Sequence, residues 1–280
     1  MKSNKLKRYH SLQRKYLCIP YVVFLFLFVI VPIGIIIFYA FTYEYIDPTT
    51  QETYLKASGQ AFLNFFTSWS KINVLFVSLY VALITTVLCL LIGFPLAYFL
   101  ADKKVNKNAV LVTLFIAPMW INFVLRTGAT RDLLYWMNIK GAEHPYFATL
   151  VGMVQNYLPF TILPLYTTML KMDKSQIEAS RDLGASGFTT FIKVVIPMTM
   201  PGIISAATMV FMPTMSSYVI SDVMGERKLS LVGNSIQLYF DQGLWHMGSI
   251  IAVVMLLVIA FGMLITKNVD KEDRVGGNLW

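Results

Sequence analysis

Residues 72–100 read INVLFVSLYVALITTVLCLLIGFPLAYFL, 29 positions without an Asp, Glu, Lys or Arg. A helix that crosses a bilayer needs about 20 predominantly apolar residues, and hydrocarbon obliges it to satisfy its own backbone hydrogen bonds. The run is apolar throughout and does not alternate with period two, so it reads as a spanning helix and not as a barrel strand. Outward from it lie five more charge-free runs, over 17–41, 109–125, 146–170, 194–221 and 242–266. Six such runs are too many for the buried helices of one soluble core. The expected fold is all-α, a polytopic membrane protein with six transmembrane helices.

Composition agrees. Only 38 of 280 residues are charged, about half the fraction usual in a soluble chain, and 20 Phe outnumber 15 acids. The formal charge of +8 would suggest nucleic acid for a soluble protein, but its distribution says otherwise. Six Lys and Arg with no acid stand in a basic tail at 1–16. With the loops 101–108 and 171–193 and the tail 267–280, that side holds 16, against seven on the other. The positive-inside rule then places both termini in the cytoplasm and the membrane domain at 17–266. Attraction of the tail to anionic membrane lipid is a by-product, and no nucleic acid is expected. The first run is too long for a signal-peptide core and no A-x-A site follows, so it reads as an uncleaved anchor.

Several chemistries find no footing. There is no G-x-x-x-x-G-K-[ST] phosphate loop, the three histidines are far apart, and no catalytic constellation appears, so no catalytic residue, bound cofactor or metal is expected and the chain does not read as an enzyme. Cys18 and Cys89 read as packing residues, as do Gly93 and Ala97 with their small-x-x-x-small spacing.

The loop 171–193 is unlike the others. Asp173 followed by Gln176 is a helix start, Gly184 suits a left-handed helix end, and Ser186 begins a second helix, with Pro197 tolerated near the start of the next span. Two short helices joined at a glycine make a rigid elbow. Glu178-Ala179-Ser180, Gly184 and, nine residues on, Val194-Val195-Ile196-Pro197 resemble the EAA loop of permease subunits in binding-protein-dependent ABC importers, E-A-A-x3-G-x9-I-x-L-P. Ser180, Val194 and Ile196 are conservative departures.

The resemblance implies a type I ABC importer permease fold in a bacterial plasma membrane, and a coupling helix docked in a cytoplasmic ABC ATPase dimer that carries the ATP and magnesium. Ile177, Leu183 and Phe188 would supply apolar contact, Glu178 a charged contact or a cap, Gly184 the turn that sets the angle, and Ala179, Ser180 and Pro197 complete the coupling loop. ATP-driven closure would then rock the bundle between inward-open and outward-open states. Residues 181–204, the stretch Tyr218 to Gly225 with Leu231 to Ile236, and Pro118-Met119-Trp120-Ile121-Asn122 with Arg126 are similar to the B-type permease of spermidine/putrescine importers. That implies a polyamine cargo, a second C-type permease and an external polyamine-binding protein. Sulfate, molybdate or iron is the alternative cargo, and a secondary transporter is the alternative class, disfavoured because no carboxylate lies inside a run.

A polyamine is multiply charged, so passage would rely on aromatic faces and amide or carbonyl oxygens. Trp120, Asn122, Gln155, Asn156, Tyr157, Tyr218 and Asp222 are the candidates. Each has a plainer role as interfacial anchor or helix-helix glue. Arg126 and Arg131 would repel a polycation and are expected to pair with Asp132 or lipid phosphate.

Overall fold

The computed structural model describes residues 18–46, 53–57, 59–102 and 110–276, so the basic tail 1–16 lies outside the described residues. Contacts divide the chain into two compact units, one of 1–68 with 238–254, the other of 69–237 with 255–280. Helix dominates both, as the charge-free runs require.

In the first unit, α1 (Ile19–Ala40) carries a π turn at Phe26–Ile30 and exposes nearly all its apolar surface, as Phe24, Phe28 and Ile35 show. A surface of that kind is stable in lipid and not in water. It leads into an antiparallel hairpin, β1 (Thr42–Ile46) with β2 (Thr53–Ala57), paired from Thr42 opposite Ala57 to Ile46 opposite Thr53. The hairpin is a local departure from the all-α expectation in an otherwise mostly helical chain. The cause is local: aromatic and β-branched residues recur in TYEYI and TYL, and Lys56 Nζ sits 3.4 Å from the centre of the Tyr45 ring. A short helix, α2 (Gln60–Thr67), follows, with Phe62 stacked on Phe41 and edge-on to Phe66.

The second unit is built on α3 (Trp69–Ala101), α6 (Pro145–Leu170) and α9 (Met200–Ser216), which pack pairwise. Close approach depends on small residues. A Cβ on Gly93 would meet Thr161 Cγ2 at 2.8 Å, and one on Gly202 would meet Thr168 Oγ1 at 2.7 Å. Ala97, Cys89 and Ile162 are fully buried in this seam, whereas Cys18, expected to be a packing residue, is exposed.

Two of the runs are not single straight helices. The third is split into α4 (Val110–Ile116), a 3-10 turn at Ala117–Trp120, and α5 (Phe123–Trp136), bent by 97°. Pro118 lacks an N–H, and Asn122 caps a fresh helix by accepting from Val124 N at 2.8 Å. Consequently α5 runs on past residue 125 and carries Arg126, Arg131 and Asp132 in its body. The fifth run breaks at Thr199, with a 68° bend between α8 (Gly187–Met198) and α9. Pro197 and Pro201 withhold donors there, and the Thr199 hydroxyl bonds back to Val195 O at 2.8 Å. That run stops at Ser216, and a separate helix, α10 (Val219–Met224), takes over.

Among the described residues three helices are long and apolar enough to cross a membrane, and up to five if each bent pair is one span. The fourth run forms the 26-residue α6, without a charge but diluted by Gln155, Asn156 and Tyr157. After α7 (Lys174–Asp182) and α11 (Val232–Asp241), α12 (Trp245–Gly276) ends the described chain. It remains helical well into the stretch read from sequence as a tail.

Candidate functional site

The elbow is built from two caps and a glycine. Asp173 accepts from Ser175 N at 3.0 Å to start α7, and those bonds hold its exposed carboxyl below the usual range, the backbone donor first and the Ser175 side chain second. At the far end Gly184 has φ 81°; its N–H donates to Arg181 O at 2.8 Å while Ala185 N donates to Ser180 O at 3.1 Å. That pair of bonds is a Schellman closure, which needs a residue in the left-handed region. Ser186 then caps α8 through Thr189 N at 3.2 Å. The two helices are pinned across the turn by the Ser180 and Thr190 hydroxyls, 3.0 Å apart.

The elbow's side chains divide into two sets. Leu183 and Phe188 are 89% and 75% exposed, and Glu178, Ala179 and Pro197 are also exposed. Ile177 is 9% exposed and packs with Leu100, Met169 and Val195, so it faces this chain's own core rather than outward. Ser180 is half-buried and engaged with Thr190. Beside the elbow a cleft of about 390 Å³ is lined by Tyr98, Asp102, Lys174, Glu178 and Arg181, with Lys174 Nζ 3.9 Å from Asp102 Oδ1.

The pathway candidates are not brought into one cluster. Asn156 is buried and fully used: Oδ1 accepts from Arg126 Nε at 2.9 Å and Nη2 at 2.6 Å, and Nδ2 donates to Thr127 Oγ1 and Gly152 O. Arg126 Nη1 also donates to Pro118 O at 2.7 Å, a carbonyl in the broken stretch that accepts from Ile121 N at 3.2 Å as well. Of the two arginines expected to pair with Asp132 or lipid phosphate, Arg131 does bond Asp132, at 2.9 Å, whereas Arg126 is held by Asn156 and Pro118. Among the described residues Gln155 keeps a buried Oε1 without a hydrogen-bond partner, and Tyr157 leans on the buried cluster with its ring 6.4 Å from Phe160. Trp120 is 81% exposed at the bend, where Asn122 serves as the cap.

Tyr218 and Asp222 form a second group. Asn234, absent from the sequence-derived candidates, organises it: Nδ2 donates to Asp222 Oδ1 and Tyr218 O, and Oδ1 accepts from Ser221 Oγ at 2.7 Å and Leu231 N at 2.9 Å. No motif spacing marks Asn234, although it lies in the stretch Leu231 to Ile236 that carries the resemblance to the B-type permease.

Apolar helices of spanning length, two of them sharply broken, with an exposed two-helix elbow after α6, define a permease subunit of an ABC importer. The chain belongs to the family of binding-protein-dependent transport system inner membrane components, whose model matches residues 90–274. It is 36% identical over 208 residues to the spermidine/putrescine transport system permease protein PotB of Escherichia coli (strain K12), covering 69% of this chain and 76% of that one. To the PotB homolog of Mycoplasma genitalium it is 27% identical over 290 residues, 97% of each. Among solved structures it resembles a chain of a bacterial ABC transporter involved in the import of the acidic polysaccharide alginate. The TM-score is 0.62 at 14% identity, over 94% of this chain and 99% of that chain, a likeness of fold alone.

Proposed function

We propose that this subunit carries polyamines, spermidine or putrescine, through a bacterial plasma membrane as part of an ATP-driven importer. The observation that carries the reading is the 36% identity to a spermidine/putrescine permease. Six spans are formed by α1, α3, the bent pair α4–α5, α6, the bent pair α8–α9, and α12, with both termini cytoplasmic as the lysine and arginine distribution favours.

The elbow α7–α8 is then the contact with an ATPase dimer that binds ATP and magnesium. Leu183 and Phe188 enter its groove, Glu178 lies at the rim, and Ile177 anchors the elbow to α3 and α6. A C-type permease completes the membrane pair, and an external binding protein delivers the cargo. Tyr218, Asp222 and Gln155 are the groups offered to an ammonium, since Asn156 is occupied by Arg126. Trp120 adds an aromatic face.

The test is reconstitution of the complete transporter in vesicles, reading ATPase stimulation by binding protein loaded with spermidine or with sulfate. Stimulation by the spermidine-loaded protein is expected. Stimulation by sulfate alone would overturn the cargo, and uptake by this chain without an ATPase would overturn the class.

A further inference from the structure

The segment after α10 contains a strained turn that neither the elbow nor the candidate pathway uses. Glu226 and Arg227 both have positive φ, 48° and 59°, directly after Gly225. Two adjacent side-chain-bearing residues in that region are held there against their steric preference, and such strain persists only where the surroundings over-determine it. The surroundings do so here. Gly225 N donates to Ser221 O, Arg227 N to Asp222 O and Lys228 N to Gly225 O. Leu229 and Leu231 are buried in one cluster with Met224 and Leu134, and Val232 N donates to Ser78 Oγ at 2.7 Å. From the other side Gly141 presses on the Met224 carbonyl, where a Cβ has no room.

A turn fixed at this many points presents its side chains in a set place. Arg227 and Lys228 are exposed, and among the described residues neither is in an ion pair. Glu226 turns inward, its Oε1 buried near Gly141. The neighbouring Lys140 is neutralised by Glu143 at 2.9 Å. The outward charge of the tip is thus two cations that no described acid pairs. Its backbone is bonded to Asp222, which belongs to the Asn234 network.

We propose that the turn 225–228 is the point at which this subunit engages an acidic patch on its external substrate-binding protein, with Arg227 and Lys228 as the recognised cations. The proposal rests on the importer reading and on the outward placement of this loop given above. Lipid phosphate is the less fitting partner. Long basic side chains reach headgroups from any backbone, so a fixed and strained one would serve no purpose there. A shaped protein surface needs fixed positions, and complementary charge steers its approach. Contact at this turn also reaches the Tyr218–Asp222–Asn234 group through one hydrogen bond, tying arrival of the binding protein to the residues offered to cargo.

The experiment uses the complete transporter in vesicles with its loaded binding protein, following ATPase rate against binding-protein concentration. Arg227→Glu with Lys228→Glu is expected to raise the half-maximal concentration about tenfold, leave the maximal rate unchanged and flatten the dependence on salt. A Lys228→Cys variant bearing a photo-crosslinker is expected to capture the binding protein. An unchanged half-maximal concentration with no crosslink overturns the proposal. So does a shift that appears only when anionic lipid is varied, which would assign the cations to headgroups. Failure of the unmodified transporter to respond to any binding protein would instead remove the importer reading.

Discussion

Replacing Gly184 separates the shape of the elbow from the stability of the chain. A Cβ built at this position meets nothing within 4 Å, so Gly184→Ala introduces no clash. Its cost is conformational: an L residue at φ 81° is disfavoured by about 1–2 kcal/mol, offset by about 0.4–1 kcal/mol because alanine has less freedom to lose. About 0.5–1 kcal/mol then remains against the bend, a factor of about two to five in the population holding the Schellman closure. That is too little to unfold the bundle. Gly184→Asn is expected to be milder, because Asn tolerates the left-handed region, and Gly184→Val more severe, because a β-branched residue does not. The assay is ATP-driven uptake in vesicles beside the amount of subunit in the membrane. Uptake should fall in the order Gly, Asn, Ala, Val while the subunit level stays constant. Wild-type uptake by the Val variant would refute the role of the turn, and uptake falling only in step with subunit level would show a stability effect.

Three further outcomes are expected. Leu183→Ser with Phe188→Ser should abolish ATP-coupled uptake at normal subunit level, whereas Ile177→Ser should lower the level itself, by burying a hydroxyl at a core position; immunoblots beside uptake distinguish them. Asn156→Leu strips Arg126 of its side-chain acceptor, and with bonds to charged groups contributing about 1.5–3 kcal/mol it should lower the unfolding midpoint of the detergent-solubilised protein, while Asn156→Asp should not. The Asp173 carboxyl is held below its ordinary value, so its contribution to the elbow is complete above that value and is lost only as pH falls through the lowered one. Uptake between pH 6 and 8 should accordingly be the same in Asp173→Asn, which keeps an acceptor, and reduced at every pH in Asp173→Ala.

Much of this was legible because hydrocarbon is an unforgiving solvent. The absence of charge from 72–100 and 146–170 dictates long helices whatever packs against them, and α3 and α6 follow. The elbow was legible because caps act within one turn: Asp173, Gly184 and Ser186 fix their helix ends without reference to distant residues. The outcomes hidden from sequence were those decided by contacts far along the chain. Ile177 reads as an exposed docking residue until α3 and α6 close over it. Arg126 ended the third run on charge grounds, yet α5 continues through it because Asn156, 30 residues on, supplies the acceptor. The hairpin is not legible because its alternation lies in a polar interlude between two apolar runs, where no solvent argument selects a structure.

The Arg126–Asn156 bond has a bearing on how the protein is made. When α5 emerges, its guanidinium has only the Pro118 carbonyl to turn to, and an arginine at mid-helix costs about 2.5–3.5 kcal/mol during insertion. Asn156 arrives with α6, itself diluted by its polar trio and a poor inserter alone. Each therefore completes the other, and the two should leave the translocon as a pair. A chain ended at residue 144 should accordingly leave residues 110–136 outside the bilayer in a glycosylation-mapping assay, and one extended to residue 173 should not.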